Sequence, residues 1–239
     1  MNLKIPVIIF LTMCCFGNPA ARAAEAEYKP GAFFSDGDAS KKWVALTFDD
    51  GPNPAVSAKM LEILAGRKAP AAFFVLGGNA ATYPQCVKRY VENGYEVGNH
   101  TYSHKNFYIL KKTKSRREMY EIISSEIARS GEAISKIISK KPVFLRMPNG
   151  FISPEVKRAA AENGYVVVNW SYGCDWKKMT REQLIKNYVS AARNGAILLM
   201  HEKKLTAAAL PDIIDGIRKK GYEIVPLRQI LPVVPRAAE

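Results

Sequence analysis

Histidine is scarce in this chain: there are three in 239 residues, at positions 100, 104 and 201. Any imidazole chemistry must be built from these. Cysteine is nearly as sparse. Of four, Cys14 and Cys15 fall in an N-terminal apolar run. Cys86 and Cys174 remain, enough for one disulfide at most, and we expect two free, partly buried thiols. The apolar run Ile5–Phe16 is too short to span a bilayer, which takes about 20 residues. Acids are outnumbered, 22 against 35 Lys and Arg, for a net charge of +13. A basic chain invites a nucleic-acid partner, but no helix-turn-helix, zinc-finger or aromatic RNA-binding pattern is present. No internal repeat is strong enough to indicate a solenoid.

What is there begins with Lys4, the apolar run and a tail of small residues ending in Ala21-Arg22-Ala23. That order predicts a secretory signal peptide over residues 1–23. Retention as a membrane anchor is the alternative; a lipoprotein signal fits poorly, because Met13 precedes Cys14. The expectation is an exported protein, periplasmic, surface-bound or secreted, with no stable membrane span after cleavage. Export also argues against nucleic acid. Residues 1–23 carry Lys4 and Arg22 and no acid, so the remainder keeps a charge near +11. Such a protein is drawn to anionic polymers such as cell-wall material, unless the charge serves only solubility. The basic run Lys111–Arg117 reads as a solvated loop.

Residues 24–41 contain Pro30, Gly31, Asp36 and Gly37 and read as an irregular arm before one domain over 42–235. Within it, apolar strands alternate with helical stretches. Strands are expected at 43–48, 71–76, from 96, and at 143–146, 166–168, 197–200 and 223–225. Helices are expected at 55–65, 83–93, 117–138, from a Ser153 cap with Pro154 behind it, from a Thr180-x-x-Gln183 capping box, and at 207–219. Glycine follows a polar residue at Asn93-Gly94, Asn163-Gly164, Asn194-Gly195 and Lys220-Gly221. Each pair falls where a helix stops and a strand begins, and glycine tolerates the left-handed backbone such joints use. The fold class is therefore α/β, a mostly parallel sheet with a distorted (β/α) barrel as its natural closure.

In such folds reactive groups gather at the carboxyl ends of strands. Asp49 and Asp50 end the first strand, followed by a Gly-Pro turn. Adjacent charged acids repel unless a cation sits between them. His100 and His104 are spaced i, i+4, which predicts both imidazoles on one side of a helical turn, a metal-binding pattern. His201 ends another strand, as does Arg146. Asp175 is a candidate orienting partner for a histidine, and Trp176 a candidate sugar-stacking surface. Taken singly, each has a bland reading as a packing or turn residue.

Together they resemble the polysaccharide deacetylase family, also called the NodB homology domain or carbohydrate esterase family 4. Thr47-Phe48-Asp49-Asp50-Gly51-Pro52 matches its first motif fully, and His100-Thr101-Tyr102-Ser103-His104 its second. Arg146-Met147-Pro148 matches the third in part, Asp175-Trp176 the fourth, and Leu199-Met200-His201 the fifth. The segment Thr206 to Leu227 resembles the family's closing helix and strand. The resemblance implies one divalent metal ion, Zn²⁺, on Asp50, His100 and His104. It implies Asp49 as general base toward the attacking water, with Arg146 holding Asp49. It implies His201 as the acid for the leaving amine, with Asp175 holding His201. Pro148, Asn149, Trp176 and Leu199 are implied as substrate-binding, with a backbone N–H near Asn149 facing the oxyanion. The implied reaction removes N-acetyl groups from an amino-sugar polymer, peptidoglycan or a chitin-like chain, and a monomer is expected. The alternatives are an O-acetyl esterase and a non-catalytic glycan-binding module. Two departures stand out. Asn149 sits where many members have Tyr, which is similar to N-acetylmuramic acid deacetylases, yet those often lack the Asp found at 175. Lys105 follows His104 where Pro is frequent.

Overall fold

The computed structural model describes residues 28–232, so the expected signal peptide lies outside the described residues. The sheet is built from β1 (Phe33–Phe34), β2 (Trp43–Gly51), β3 (Ala72–Val75), β4 (Glu96–Asn99), β5 (Phe144–Leu145), β6 (Val166–Val168), β7 (Tyr172–Gly173), β8 (Ala196–His201) and β9 (Glu223–Ile224). The spatial order is β1-β6-β5-β4-β3-β2-β8-β7, with β9 also on β2. Each pairing is parallel. All carboxyl ends therefore share one rim. No pairing joins β1 to β7 among the described residues, so the barrel is curled but open.

Alternation along the strands separates two faces. On β2, Val44, Leu46 and Phe48 pack outward into one apolar cluster, whereas Ala45 belongs to another inside the curl. On β3, Phe73 and Val75 face out and Ala72 and Phe74 face in. The outer face is covered by α1 (Pro54–Gly66), α3 (Pro84–Glu92), α7 (Arg181–Ala191) and α8 (Lys204–Lys219). A further cluster lies under α5 (Arg116–Ile138) and α6 (Pro154–Glu162). The inner face is closed at its lower end by α9 (Leu227–Ile230), which contributes Leu227 and Ile230. Truncating a buried anchor such as Ile213, 0% exposed on α8, to Ala costs about 2–5 kcal/mol.

The helix boundaries follow local chemistry. Ser153 caps α6 and Pro154 opens it. Thr180 and Gln183 form the expected capping box of α7, and Ser115 with Glu118 forms another on α5. Gly94, Gly164, Gly195 and Gly221 all have positive φ. The arm expected to be irregular contributes β1, whose Phe33 and Phe34 register with Val167 and Val168. Gly98 on β4 permits a close approach: a Cβ there would lie 2.6 Å from the Phe74 ring. Cys86 is half-buried and Cys174 buried, and both are free thiols.

Candidate active site

Asp49 on β2 registers with His201 on β8. Between Asp49 and Gly51 the β2–β3 register shifts, leaving Asp50 as the extra residue of a bulge, with φ +69°. The bulge divides the two adjacent acids. Asp49, 2% exposed, turns into the curl and accepts from Arg146 Nη1 at 2.7 Å. Asp50 turns toward the histidines: its Oδ1 lies 3.3 Å from Nε2 of both His100 and His104.

The histidine pair is not on a helix. His100 continues from β4, and the chain then doubles back with Thr101 at φ +67° and His104 at φ +54°. The expected helical turn is replaced by a loop because two side chains capture three of its backbone N–H groups. Asn99 Oδ1 takes the Thr101 N–H at 2.8 Å. Glu126, 3% exposed on α5, takes the N–H groups of Tyr102 and Ser103 at 3.1 and 2.8 Å, and the Ser103 hydroxyl at 2.8 Å.

His100 Nδ1 donates to the Arg146 carbonyl at 2.8 Å, which leaves Nε2 as a bare lone pair facing Asp50. Asp50 Oδ1 is itself buried without a hydrogen-bond partner. Desolvation alone raises the Asp50 pKa, but the three surrounding imidazoles, His100 first, then His104 and His201, outweigh it and hold the group down at about 2. Burial pushes the His104 pKa down, favouring the neutral, ligating imidazole. Atoms bound about 2.0–2.1 Å from a tetrahedral Zn²⁺ lie roughly 3.3–3.4 Å apart. The two 3.3 Å separations, the orphaned oxygen and the free lone pair therefore fit a divalent cation.

Arg146 is fully buried, and burial pulls its pKa down while Asp49 opposes that pull. Four of its five N–H donors are used: besides the bond to Asp49, Nε donates to Val168 O at 2.9 Å, Nη1 also to Thr47 Oγ1 at 2.8 Å, and Nη2 to Asn169 O at 2.9 Å. The guanidinium stacks 4.1 Å over the Phe74 ring. Across the cavity, His201 Nδ1 donates to Asp175 Oδ1 at 2.7 Å, so Nε2 points at Asp50 Oδ2, 3.8 Å away. Asp175 Oδ2 accepts from His201 N at 2.7 Å and Thr206 Oγ1 at 2.8 Å. Burial lowers the His201 pKa, but Asp175, Asp49 and Asp50 outweigh it, and the net shift is upward.

These groups surround a cavity of about 410 Å³ lined by Asp49, Asp50, His100, His104, Asn149, Trp170, Trp176, Leu199, His201 and Lys203. The sequence profile of the polysaccharide deacetylases matches residues 36–168. The chain belongs to the polysaccharide deacetylase family. A peptidoglycan N-acetylglucosamine deacetylase of Bacillus cereus is 33% identical over 199 residues, covering 80% of this chain and 89% of that one. The peptidoglycan N-acetylmuramic acid deacetylase PdaC of Bacillus subtilis is 32% identical over 81% of this chain and 39% of its own length. The crystal structure of the Bc1960 peptidoglycan N-acetylglucosamine deacetylase superposes with a TM-score of 0.76 at 32% identity, over 84% of this chain and 92% of that one.

The site residues expected of a deacetylase of this family converge on one rim, with distinct placements. Arg146 and Asp175 stand behind Asp49 and His201 rather than on the cavity wall. Pro148 is buried in a 3₁₀ turn (Pro148–Gly150) and does not line the cavity. Asn149, at φ +55° in that turn, is exposed at the rim; Asn is among the residues that tolerate this backbone. Sequence reasoning did not single out Trp170, Lys203, Glu126 or Glu202. Trp170 lies just past a strand end and Lys203 two residues past His201, positions that the strand-end rule could have flagged. Glu126 and Glu202 carry no local signal. Glu202, 5% exposed, accepts from Asn53 N at 2.7 Å, Ser57 Oγ at 2.6 Å and Tyr90 Oη at 2.5 Å, tying the segment after Asp50 to the segment after His201.

Proposed function

We propose that the protein is an exported, metal-dependent hydrolase that removes N-acetyl groups from the amino sugars of peptidoglycan, with Zn²⁺ on Asp50, His100 and His104. The observation that carries this reading is the convergence of a carboxylate–imidazole cluster short of one cation with two separately braced acid–base groups on one cavity. A divalent ion held there supplies a Lewis acid to the acetyl carbonyl and lowers the pKa of the attacking water. Asp49 takes the proton of that water, and the Arg146 contact holds the carboxylate in place. The backbone N–H at Asn149 supports the developing oxyanion. His201 Nε2 gives its proton to the amide nitrogen as the C–N bond breaks, because an amide anion is a very poor leaving group. Acetate and a free amino sugar leave; Asp49 then loses its proton to solvent and His201 regains one. Trp176 and Leu199 flank the acetyl group. An exported chain that keeps a net charge near +11 favours an anionic wall polymer over neutral chitin.

The experiment is mass spectrometry of muropeptides and chitin oligomers after incubation with the Zn²⁺-loaded protein. Loss of one acetyl mass per modified sugar, abolished by a strong chelator and restored by Zn²⁺, is expected. Turnover that survives complete metal removal defeats the mechanism.

A further inference from the structure

The chain that follows the His100–His104 loop forms a second surface. From Lys105 to Arg117 it has six cations, Lys105, Lys111, Lys112, Lys114, Arg116 and Arg117, and no acid. Inside this stretch α4 (Phe107–Leu110) is anchored to the body of the protein. Asn106 caps it by accepting from Ile109 N at 3.2 Å. Phe107 is buried, its ring 5.6 Å from that of Phe151, and Leu110 packs on the same apolar cluster. The other two side chains of the turn are left outside. Tyr108 is 42% exposed, and Ile109, at 61%, is the most exposed large apolar side chain among the described residues. Four of the cations have carboxylate partners: Lys105 with Glu126 at 3.7 Å, Lys114 with Glu118 at 3.0 Å, Arg116 with Glu155 at 2.7 Å and Arg117 with Glu121 at 2.9 Å. Among the described residues Lys111 and Lys112 have none within ion-pair distance. Lys111 Nζ stands instead 5.4 Å from the centre of the Tyr108 ring and 5.9 Å from that of Phe151. Two free ammonium groups therefore flank a fixed apolar tip.

We propose that this face docks on an anionic membrane surface, with Ile109 and Tyr108 entering the headgroup layer and Lys111 and Lys112 pairing with lipid phosphates. The docking is independent of the deacetylase chemistry. A bilayer surface satisfies both parts of the patch at once: the apolar tip leaves water, and the lysines meet negative charge. A soluble polyanion pairs the lysines but leaves Ile109 in water. A stable protein interface buries roughly 800 Å² per partner, and the apolar area of two side chains falls far short of that. A lipid surface needs no matching shape, and the Tyr108 ring, apolar with a polar tip, suits its boundary. The exposed ion pairs of Lys114, Arg116 and Arg117 are worth little in water, so they exchange readily for lipid phosphate. No helix among the described residues is long and apolar enough to cross a membrane, so attachment through this face is peripheral. The face also adjoins the cavity. Lys105 directly follows His104, and Phe151 lies two residues beyond Asn149; His104 and Asn149 both line it. Docking therefore holds the cavity beside the membrane surface.

The test is co-sedimentation of the full chain with phosphatidylcholine vesicles, with and without phosphatidylglycerol, for wild type, Ile109→Ser, Lys112→Gln and Ile109→Trp. Wild type binds the anionic vesicles more tightly than the neutral ones. Ile109→Ser weakens that binding roughly tenfold. Lys112→Gln weakens it about fivefold, and on anionic vesicles alone. Raising the salt erases the Lys112 effect and leaves the Ile109 effect, because screening acts on charge and not on apolar burial. Both side chains are exposed, so the thermal unfolding midpoints stay at the wild-type value. In Ile109→Trp the added indole emission is quenched by lipids brominated in their acyl chains. All four proteins share the same N-terminal apolar run, so equal vesicle binding by all of them is binding through that run and overturns the proposal. Failure of wild type to bind anionic vesicles overturns it as well, as does indole emission untouched by the brominated lipids. If lipid-free polyphosphate binds, and Lys112→Gln loses vesicle binding while Ile109→Ser does not, the face is a polyanion site and the membrane proposal falls.

Discussion

Asp50 and Asp175 each face an imidazole across the same cavity, yet one is left short of partners and the other is saturated. Asp175 accepts three hydrogen bonds, from His201 Nδ1, His201 N and Thr206 Oγ1, and folding alone completes it. Asp50 presents a buried oxygen with no donor, opposite an imidazole whose proton is spent elsewhere. A buried polar atom without a partner costs about 1–3 kcal/mol, so the protein holds this arrangement against its own stability. The difference separates a half of the site that folding completes from a half that folding leaves one cation short.

The strongest way to break that comparison is to remove ligands from each half in turn. His100→Ala is expected to lose both bound metal and turnover, with no acetate detectable above background. His201→Ala and Asp49→Asn are expected to keep metal while kcat falls by about 10²–10⁴. Metal content by elemental analysis, read beside acetate release, checks all three; metal loss in His201→Ala would erase the distinction between the halves.

Next in size is Glu126→Gln. One carboxylate holds two backbone N–H groups and a hydroxyl of the His100–His104 loop. Replacing it is expected to weaken Zn²⁺ affinity by roughly 10–100-fold in competition with a chromophoric chelator, with kcat of the saturated protein far less affected.

Asp175→Asn sharpens the other half through pH. The net shift of His201 is upward: burial pulls it down, but Asp175 and the two acids of β2 push it up further. Below its pKa the imidazole carries the proton that the leaving amine needs, so activity is lost as pH rises through that pKa. Taking away the Asp175 charge lowers it, and the alkaline limb of the kcat/KM profile is expected to move to lower pH. A limb that stays in place would mean that another group sets it. The smallest expected effect is Trp176→Ala, an exposed ring at the mouth. It is expected to raise KM by roughly five- to tenfold with little change in kcat, about 1 kcal/mol of stacking.

Much of the scaffold was legible in the chain because its signals are local. The Asn-Gly and Lys-Gly joints have the left-handed backbone the glycines imply, and Thr180 with Gln183 closes the capping box their spacing predicts. Elements that escaped notice are short and depend on neighbours. β1 and β7 have two residues each, too few for alternation to be seen, and α2 (Gly77–Thr82) and α4 (Phe107–Leu110) run for fewer than two turns. The one misjudged motif geometry, the His100–His104 pair, failed for a related reason. Its spacing suits a helix, but acceptors on β4 and α5 hold its N–H groups in a loop.

The sequence by itself determined which groups exist and their order: three histidines, two adjacent acids after an apolar strand, and an arginine, an aspartate and a histidine at later strand ends. Alternation with period two and a shared strand direction were enough to send them to one rim. Only the tertiary structure decided how the groups divide the work. The bulge that turns Asp50 away from Asp49 exists because β2 and β3 register differently on either side of it. The clamp on the His100–His104 loop comes from Glu126, 24 residues beyond Tyr102 and 23 beyond Ser103, and Arg146 reaches Asp49 across 97 positions. Such contacts leave no periodic trace, because hydrogen bonds between distant segments are set by where the folded backbone brings them together.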